Sequence, residues 1–175
     1  MTQTVLISLS CPDRTGLVAA VAGALFDLGA NLGDATFAVL GHAAEFTALC
    51  ELPDEVSAAE VESAIADLPE AADAVLSVTP FTLAPVHGPS GRITHRITVS
   101  GDDRPGLIAR LAEVFGQYKA NIVRLNAEHV PEGAGTRYII RIAISLSDPE
   151  AAEACLATVS NTAGELGLSC AWETA

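Results

Sequence analysis

Basic residues are nearly missing from the first half of this sequence. Residues 1–90 contain one, Arg14, against twelve acids, and residues 91–175 contain eight against ten. The 175-residue chain therefore carries 9 bases, 22 acids and a formal charge of −13. Aromatic residues are scarce as well: five Phe, two Tyr and one Trp. Nucleic-acid binding depends on basic groups that release counterions and on aromatic faces that stack on bases, so direct contact with DNA or RNA is not expected. An acidic chain is not drawn to an anionic membrane surface either. Long apolar runs are also absent. The longest uncharged one, Leu17 to Phe26, stops at Asp27, well short of the roughly 18 residues a spanning helix requires. Met1 to Thr4 offers no basic stretch ahead of an apolar one, as a secretory signal would, and the expected location is the cytoplasm. Half the residues are nevertheless hydrophobic, with a mean hydropathy of +0.37, which excludes a disordered chain.

The sequence repeats itself with an offset of 90 residues. Ile7-Ser8-Leu9-Ser10-Cys11-Pro12-Asp13-Arg14-Thr15-Gly16-Leu17-Val18 aligns with Ile97-Thr98-Val99-Ser100-Gly101-Asp102-Asp103-Arg104-Pro105-Gly106-Leu107-Ile108. In the same register, and without a gap, Ala30-Asn31-Leu32 meets Ala120-Asn121-Ile122. Between the halves, Ala84-Pro85-Val86-His87-Gly88-Pro89-Ser90-Gly91 holds two prolines and two glycines, the composition of a linker. The reading is two similar domains, 1–84 and 92–175, joined by residues 85–91.

Each half has the same order of elements. In the second, Ile93, His95, Ile97 and Val99 alternate with polar residues, as in a strand with one dry face. Leu107, Ile108, Leu111, Val114, Phe115 and Tyr118 then recur at helical spacing, with Arg110, Glu113 and Gln117 on the wet side. Val123, Leu125 and Ala127 form a second strand. Pro131 to Gly135 turns the chain, and Tyr138 to Leu146 pairs back as a hairpin. Asp148 caps a helix opening on Pro149, with Ala152, Cys155, Leu156, Val159 and Leu166 inward. A last strand, Leu168 to Trp172, places Leu168, Cys170 and Trp172 on one face. The first half follows suit: strand Val5 to Ser10, helix Gly16 to Leu28, and strands Leu32 to Leu40 and Glu45 to Glu51 about Gly41-His42. Next comes a helix opened by the capping box Ser57-x-x-Glu60, with Val61, Ile65 and Leu68 inward, and then strand Val75 to Leu83. The expected fold is α+β, two ferredoxin-like βαββαβ domains. Each is a four-stranded antiparallel sheet of order 4-1-3-2 with two helices on one face.

The repeated Asp-Arg-[Thr/Pro]-Gly-Leu element sits where the first strand feeds the first helix. Gly16 and Gly106 let a ligand or a second backbone approach, and a helix N-terminus suits a carboxylate. Asp13 and Asp103 either cap that helix or accept from an ammonium group. Arg14 and Arg104 have the fork to clamp a carboxylate, and the amides of Asn31 and Asn121 suit a zwitterion. By residue chemistry alone, ordinary helix-start and helix-stop signals are favoured over a ligand site.

Ser-x-x-Asp-Arg-[Pro/Thr]-Gly-Leu, followed by a helix and [Gly/Lys]-Ala-Asn-[Leu/Ile], resembles the ACT domain family. Two such domains with nothing else resemble the glycine cleavage system transcriptional repressor family. The resemblance implies βαββαβ regulatory domains that bind a small amino acid, with glycine the candidate here, at the first turn and at the Asn opening strand two. Part of such a site often comes from a neighbouring domain. Carried over, the candidate residues are Asp13, Arg14, Thr15, Gly16, Leu17 and Asn31, and Asp102, Asp103, Arg104, Pro105, Gly106, Leu107 and Asn121. Thr15 departs from the usual proline, which implies a looser first turn. The resemblance further implies a homo-oligomer acting through a protein partner, either a DNA-binding regulator or a metabolic enzyme. The rival readings are a ligand-free dimerisation module and a detached regulatory subunit of an amino-acid metabolic enzyme.

No catalytic, metal or cofactor signature competes. His42-x-x-Glu45 falls in a hairpin turn, a poor metal site. His95 and His129 lie on strands that the expected order separates, with His129 in phase with the apolar face, and His87 lies in the linker. No Gly-x-Gly-x-x-Gly, Walker A, His-Glu-x-x-His or Gly-x-Ser-x-Gly pattern occurs. No enzyme, cofactor or metal is expected. The four cysteines, Cys11, Cys50, Cys155 and Cys170, include no Cys-x-x-Cys pair and read as small buried hydrophobes. Cys11 and Cys50 should fall at opposite ends of neighbouring strands, too far apart for a disulfide. Cys11 precedes a helix N-terminus, which lowers a thiol pKa; a redox role is the alternative for it, although Gly101 replaces it in the second repeat.

Overall fold

The computed structural model describes residues 3–175 and divides them into two compact units, one ending at Pro85 and the other beginning at Val86. The first unit runs β1 (Gln3–Pro12), α1 (Leu17–Asp27), β2 (Asn31–Leu40), β3 (Ala43–Leu52), α2 (Ala58–Ala66) and β4 (Val75–Pro80). The second runs β5 (His95–Gly101), α3 (Leu107–Gln117), β6 (Asn121–Glu132), β7 (Gly135–Ser145), α4 (Pro149–Glu165) and β8 (Ser169–Thr174). The sheets are antiparallel, with orders β2-β3-β1-β4 and β6-β7-β5-β8. Both are ferredoxin-like, in the strand order expected from the repeat.

Alternation places the cores. Val5, Ile7, Leu9 and Cys11 of β1 are buried and pack with Leu17, Val21 and Leu25 of α1 and Val61 and Ile65 of α2. In the second unit Ile97 and Val99 meet Leu111, Phe115, Cys155, Leu156 and Val159. Each such large side chain contributes about 1.5–3 kcal/mol by leaving water. Some expected inward residues differ. Leu68 lies beyond the end of α2 and is half-buried, and Leu166 is the C-cap of α4, while Ala163 takes the last inward place on that helix. The fourth strand ends at Pro80 instead of Leu83, and the fifth begins at His95 instead of Ile93. Val123 does not alternate with Leu125, because β6 carries a register shift between Ile122 and Arg124; Ile122 takes the inward place.

The helix ends are built alike. After α1, Gly29 adopts φ +70, its N–H bonds the Phe26 carbonyl, and the Ala30 N–H bonds that of Leu25. After α3 the same pair of bonds runs from Lys119 to Gly116 and from Ala120 to Phe115, with Lys119 at φ +57. These are Schellman stops, and they explain why Asn31 and Asn121 begin a strand directly afterwards. Part of the linker is ordered on the second unit: the Asn121 amide donates to Ser90 O at 2.7 Å and Ser145 Oγ to Pro89 O at 3.4 Å. Among the described residues, no helix is long and apolar enough to cross a membrane.

Candidate functional site

The repeated motif forms the same turn twice. The Leu17 N–H bonds Arg14 O at 3.3 Å across Thr15-Gly16, and Leu107 bonds Arg104 O at 3.2 Å across Pro105-Gly106. Gly16 stands at φ +93, ψ −7 and Gly106 at φ +82, ψ +2. A closing bond with glycine in this region at the third position defines a type II turn. Its first central residue favours proline and tolerates threonine, so Thr15 holds the same turn as Pro105. The glycines are required by φ rather than by crowding, since a Cβ at either would meet nothing within 4 Å.

Gly16 and Gly106 are themselves the N-caps, and no side chain caps either helix. The aspartates therefore do not serve as caps. In the first unit Leu17 donates to Arg14 and Ala20 to Gly16, which leaves the Val18 and Ala19 N–H groups at the turn. Asp13 to Ala19, with Phe37 and Val39 of β2, line an open concavity of about 360 Å³. Phe37 and Val39 pair with the buried Phe46 and Ala44 and share their face of the sheet, yet remain exposed. They stand on β2, the edge strand of the sheet, beside the first turn of α1. The sequence reading missed these two residues; the available signal was an apolar alternation on the strand that the expected order places at the sheet edge.

The remaining candidates are spread out. Arg14 folds back, its guanidinium donating to Glu70 O at 3.2 Å and Ala72 O at 2.6 Å and standing 3.5 Å from Asp73. Its fork is thus held by the α2–β4 connection. Arg104 is exposed, its guanidinium beside Gly167 at the end of α4. The Asp13 N–H is tied to His42 O at 2.9 Å, which pins the turn to the β2–β3 hairpin. Asp103 meets His129 Nε2 at 3.1 Å, and the His129 ring lies 4.6 Å from that of Tyr138. His129 is therefore a rim histidine, one of the two places its phase on the strand allowed, and its contact with the motif was not foreseen. Asp102 is exposed beside it. Asn31 and Asn121 stand at the other end of their sheets: Asn31 pairs with Glu51, whereas Pro12, where the turn begins, pairs with Ala43. Within one domain the asparagine and the turn do not meet.

The Cys11 thiol is buried, and desolvation raises its pKa against the lowering pull of Arg14, so the expected activation by the helix is outweighed. Burial likewise raises Cys50 and Cys155. All four cysteines are free; Cys50 pairs with Val5 and Cys11 with Ala44, at opposite ends of β1. Glu45 accepts from Ser10 Oγ at 2.6 Å. Among the described residues, no group of three or more His, Cys, Asp or Glu side chains is placed to hold a metal ion.

Duplicated ferredoxin-like domains, each with an uncapped type II turn at the end of its first strand, define a class of small α+β tandem-domain proteins. Models of the ACT domain match residues 3–79 and 95–161, and the chain belongs to the ACT domain family, with two such domains in tandem. ACT domains are regulatory modules. The fold is similar to the crystal structure of an unknown protein from Galdieria sulphuraria, 22% identical, covering 100% of this chain and 99% of that one, with a TM-score of 0.76. It is also similar to a protein proposed to be a glycine cleavage system transcriptional repressor, 17% identical, covering 100% of this chain and 98% of that one, with a TM-score of 0.68. No curated protein gives a significant sequence match.

Proposed function

We propose that this chain is a non-catalytic regulator that binds a small amino acid, glycine foremost, at its Asp-Arg-[Thr/Pro]-Gly-Leu turns. In this reading it acts by contact with a protein partner, as a co-regulator of glycine cleavage transcription. The observation that carries it is the duplicated turn, which presents uncapped helix amides and an aspartate, in the first domain beside an open concavity. Amides and a positive helix end suit the carboxylate, and Asp13 or Asp103 suits the ammonium group. The similarity to the repressor structure supplies the direction toward glycine cleavage. Because Asn31 and Asn121 lie at the far ends of their sheets, a site using both asparagine and turn takes them from two copies of the chain. Ligand then favours one assembly state over another, which is what coupling to a partner requires.

Thermal unfolding with each amino acid in turn tests this. A ligand at about 100 times its Kd stabilises by about 2.7 kcal/mol. Glycine or another small amino acid should raise the midpoint, and Asn31→Ala or Asn121→Ala should remove the rise. No response at millimolar concentration overturns the reading.

A ligand-free assembly module is favoured by one observation. α1 has no charge before Asp27, and its Val18 and Phe26, with Phe37, Val39 and Leu40 of the edge strand β2, are exposed. Such faces are covered by protein contacts. A homo-oligomer of fixed mass in light scattering, unchanged by any amino acid, would support this second reading over the first. A detached regulatory subunit would instead bind its enzyme in a ligand-dependent way.

A further inference from the structure

The end of the sheet far from the motif turn is closed in the first domain and open in the second. In the first, Val5, Cys50 and Leu52 are fully buried, and Val78, paired with Ile7, is nearly so. Val56, in the connection 53–57 between β3 and α2, packs on that core. The same registers place His95, Ile144, Leu146 and Trp172 at the matching positions of the second domain. There only residues 146–148 join β7 to α4, so nothing stands in for Val56, and Trp172, paired with Ile97, is 52% exposed. A cavity of about 720 Å³ results, lined by Leu146, Ala152 and Leu156 beside Trp172, His95 and Arg92. That volume falls within the roughly 300–1,000 Å³ of small-molecule sites.

Its polar lining comprises Thr94, His95, Ser147 and Thr174, with the Arg92 guanidinium and the exposed Glu153 carboxylate as its charged side chains. Thr94 Oγ1 donates to Ile144 O at 3.2 Å and accepts from the Leu146 N–H at 2.9 Å. With the hydroxyl proton thus placed, His95 Nδ1, 2.9 Å from the same oxygen, is the donor. That tautomer leaves His95 Nε2 as an acceptor. No hydrogen bond or ion pair engages the exposed Arg92 guanidinium among the described residues.

We infer that this cavity binds a planar aromatic carboxylate. The ring stacks on Trp172 among the aliphatic side chains, the carboxylate pairs with Arg92, and a ring hydroxyl or N–H donates to His95 Nε2. The site lies at the opposite end of β5 from the Asp102–Leu107 turn and is independent of amino-acid binding there.

Trp172 is the sole tryptophan of the chain, so its emission reports occupancy directly. Titration of the full chain with 4-hydroxyphenylacetate should give a saturable change in emission. Tyramine, which keeps the ring and lacks the carboxylate, should bind at least tenfold more weakly. Arg92→Gln, an exposed change that leaves the fold intact, should weaken 4-hydroxyphenylacetate at least tenfold. His95→Leu should weaken it severalfold while sparing phenylacetate, which has no hydroxyl to donate. The inference is overturned by an unsaturable response up to millimolar concentration, by equal binding of tyramine, or by indifference to Arg92→Gln. Competition by glycine would likewise overturn its independence from the turn.

Discussion

His129 on β6 reaches across to Asp103 in the motif turn of the second domain, Nε2 to Oδ2 at 3.1 Å, with its ring resting on Tyr138. Both partners are about half exposed, so the pair is worth no more than about 1 kcal/mol to the fold. Its consequence is for the turn: Asp103 is oriented by a residue 26 positions later in the chain. His129→Ala should leave chemical stability within about 1 kcal/mol of the parent. Calorimetric titration with the responding amino acid should show its affinity changed severalfold if the second turn binds it.

Lys119 stops α3 in the left-handed conformation that Gly29 and Gly167 adopt after α1 and α4. A side chain there carries a conformational cost that glycine does not. Lys119→Gly should stabilise the second domain by about 0.5–1 kcal/mol in urea unfolding, whereas Gly29→Lys should destabilise the first.

Cys11 and Gly101 occupy equivalent places, and their neighbours compensate. A Cβ on Gly101 would stand 2.4 Å from Leu168 Cδ2, while in the first domain the residue at that position, just before β4, is Ala74. A large-small pair is swapped between the repeats. Gly101→Cys should cost about 1–3 kcal/mol by overpacking. Leu168→Ala, destabilising alone, should be partly rescued in combination with it; a strictly additive double mutant would refute the coupling.

Ser57 and Glu60 form the reciprocal cap of α2: Glu60 N–H bonds Ser57 Oγ at 3.3 Å, and Glu60 Oε2 accepts from Ser57 N–H at 2.8 Å. These bonds hold the Glu60 carboxyl below its usual pKa. Its contribution is therefore present above the unfolded value, about 4.3, and is lost as pH falls through the lower folded value. Ser57→Ala should cost about 1 kcal/mol at neutral pH. Glu60→Ala should differ from the parent at neutral pH and converge with it in strong acid.

Burial raises the thiols of Cys11, Cys50 and Cys155, while Cys170 is only half-buried. Mild alkylation at pH 8 followed by peptide mass mapping should label Cys170 first, and the other three should react mainly after denaturation. Early labelling of Cys11 would show that the helix terminus, not burial, controls its thiol.

The repeat, the two-domain order, the strand pattern and the location of the turns were all legible in the sequence, because alternation, helical spacing, glycine placement and caps are local properties. Asp148 with Pro149 and Ser57 with Glu60 specify their helix starts within four residues, and Gly16 and Gly106 specify their turn within four. Which residues meet was decided by tertiary structure. Arg14 is drawn away to the carbonyls of Glu70 and Ala72, Asp103 is met by His129, and Asn31 lies a strand's length from Asp13. The open end of the second core, where Trp172 is exposed, depends on a connection shortened relative to its counterpart and on what that connection fails to cover. Local backbone preference fixes each element; long-range contacts between side chains far apart in the chain fix the site, and no spacing rule encodes them.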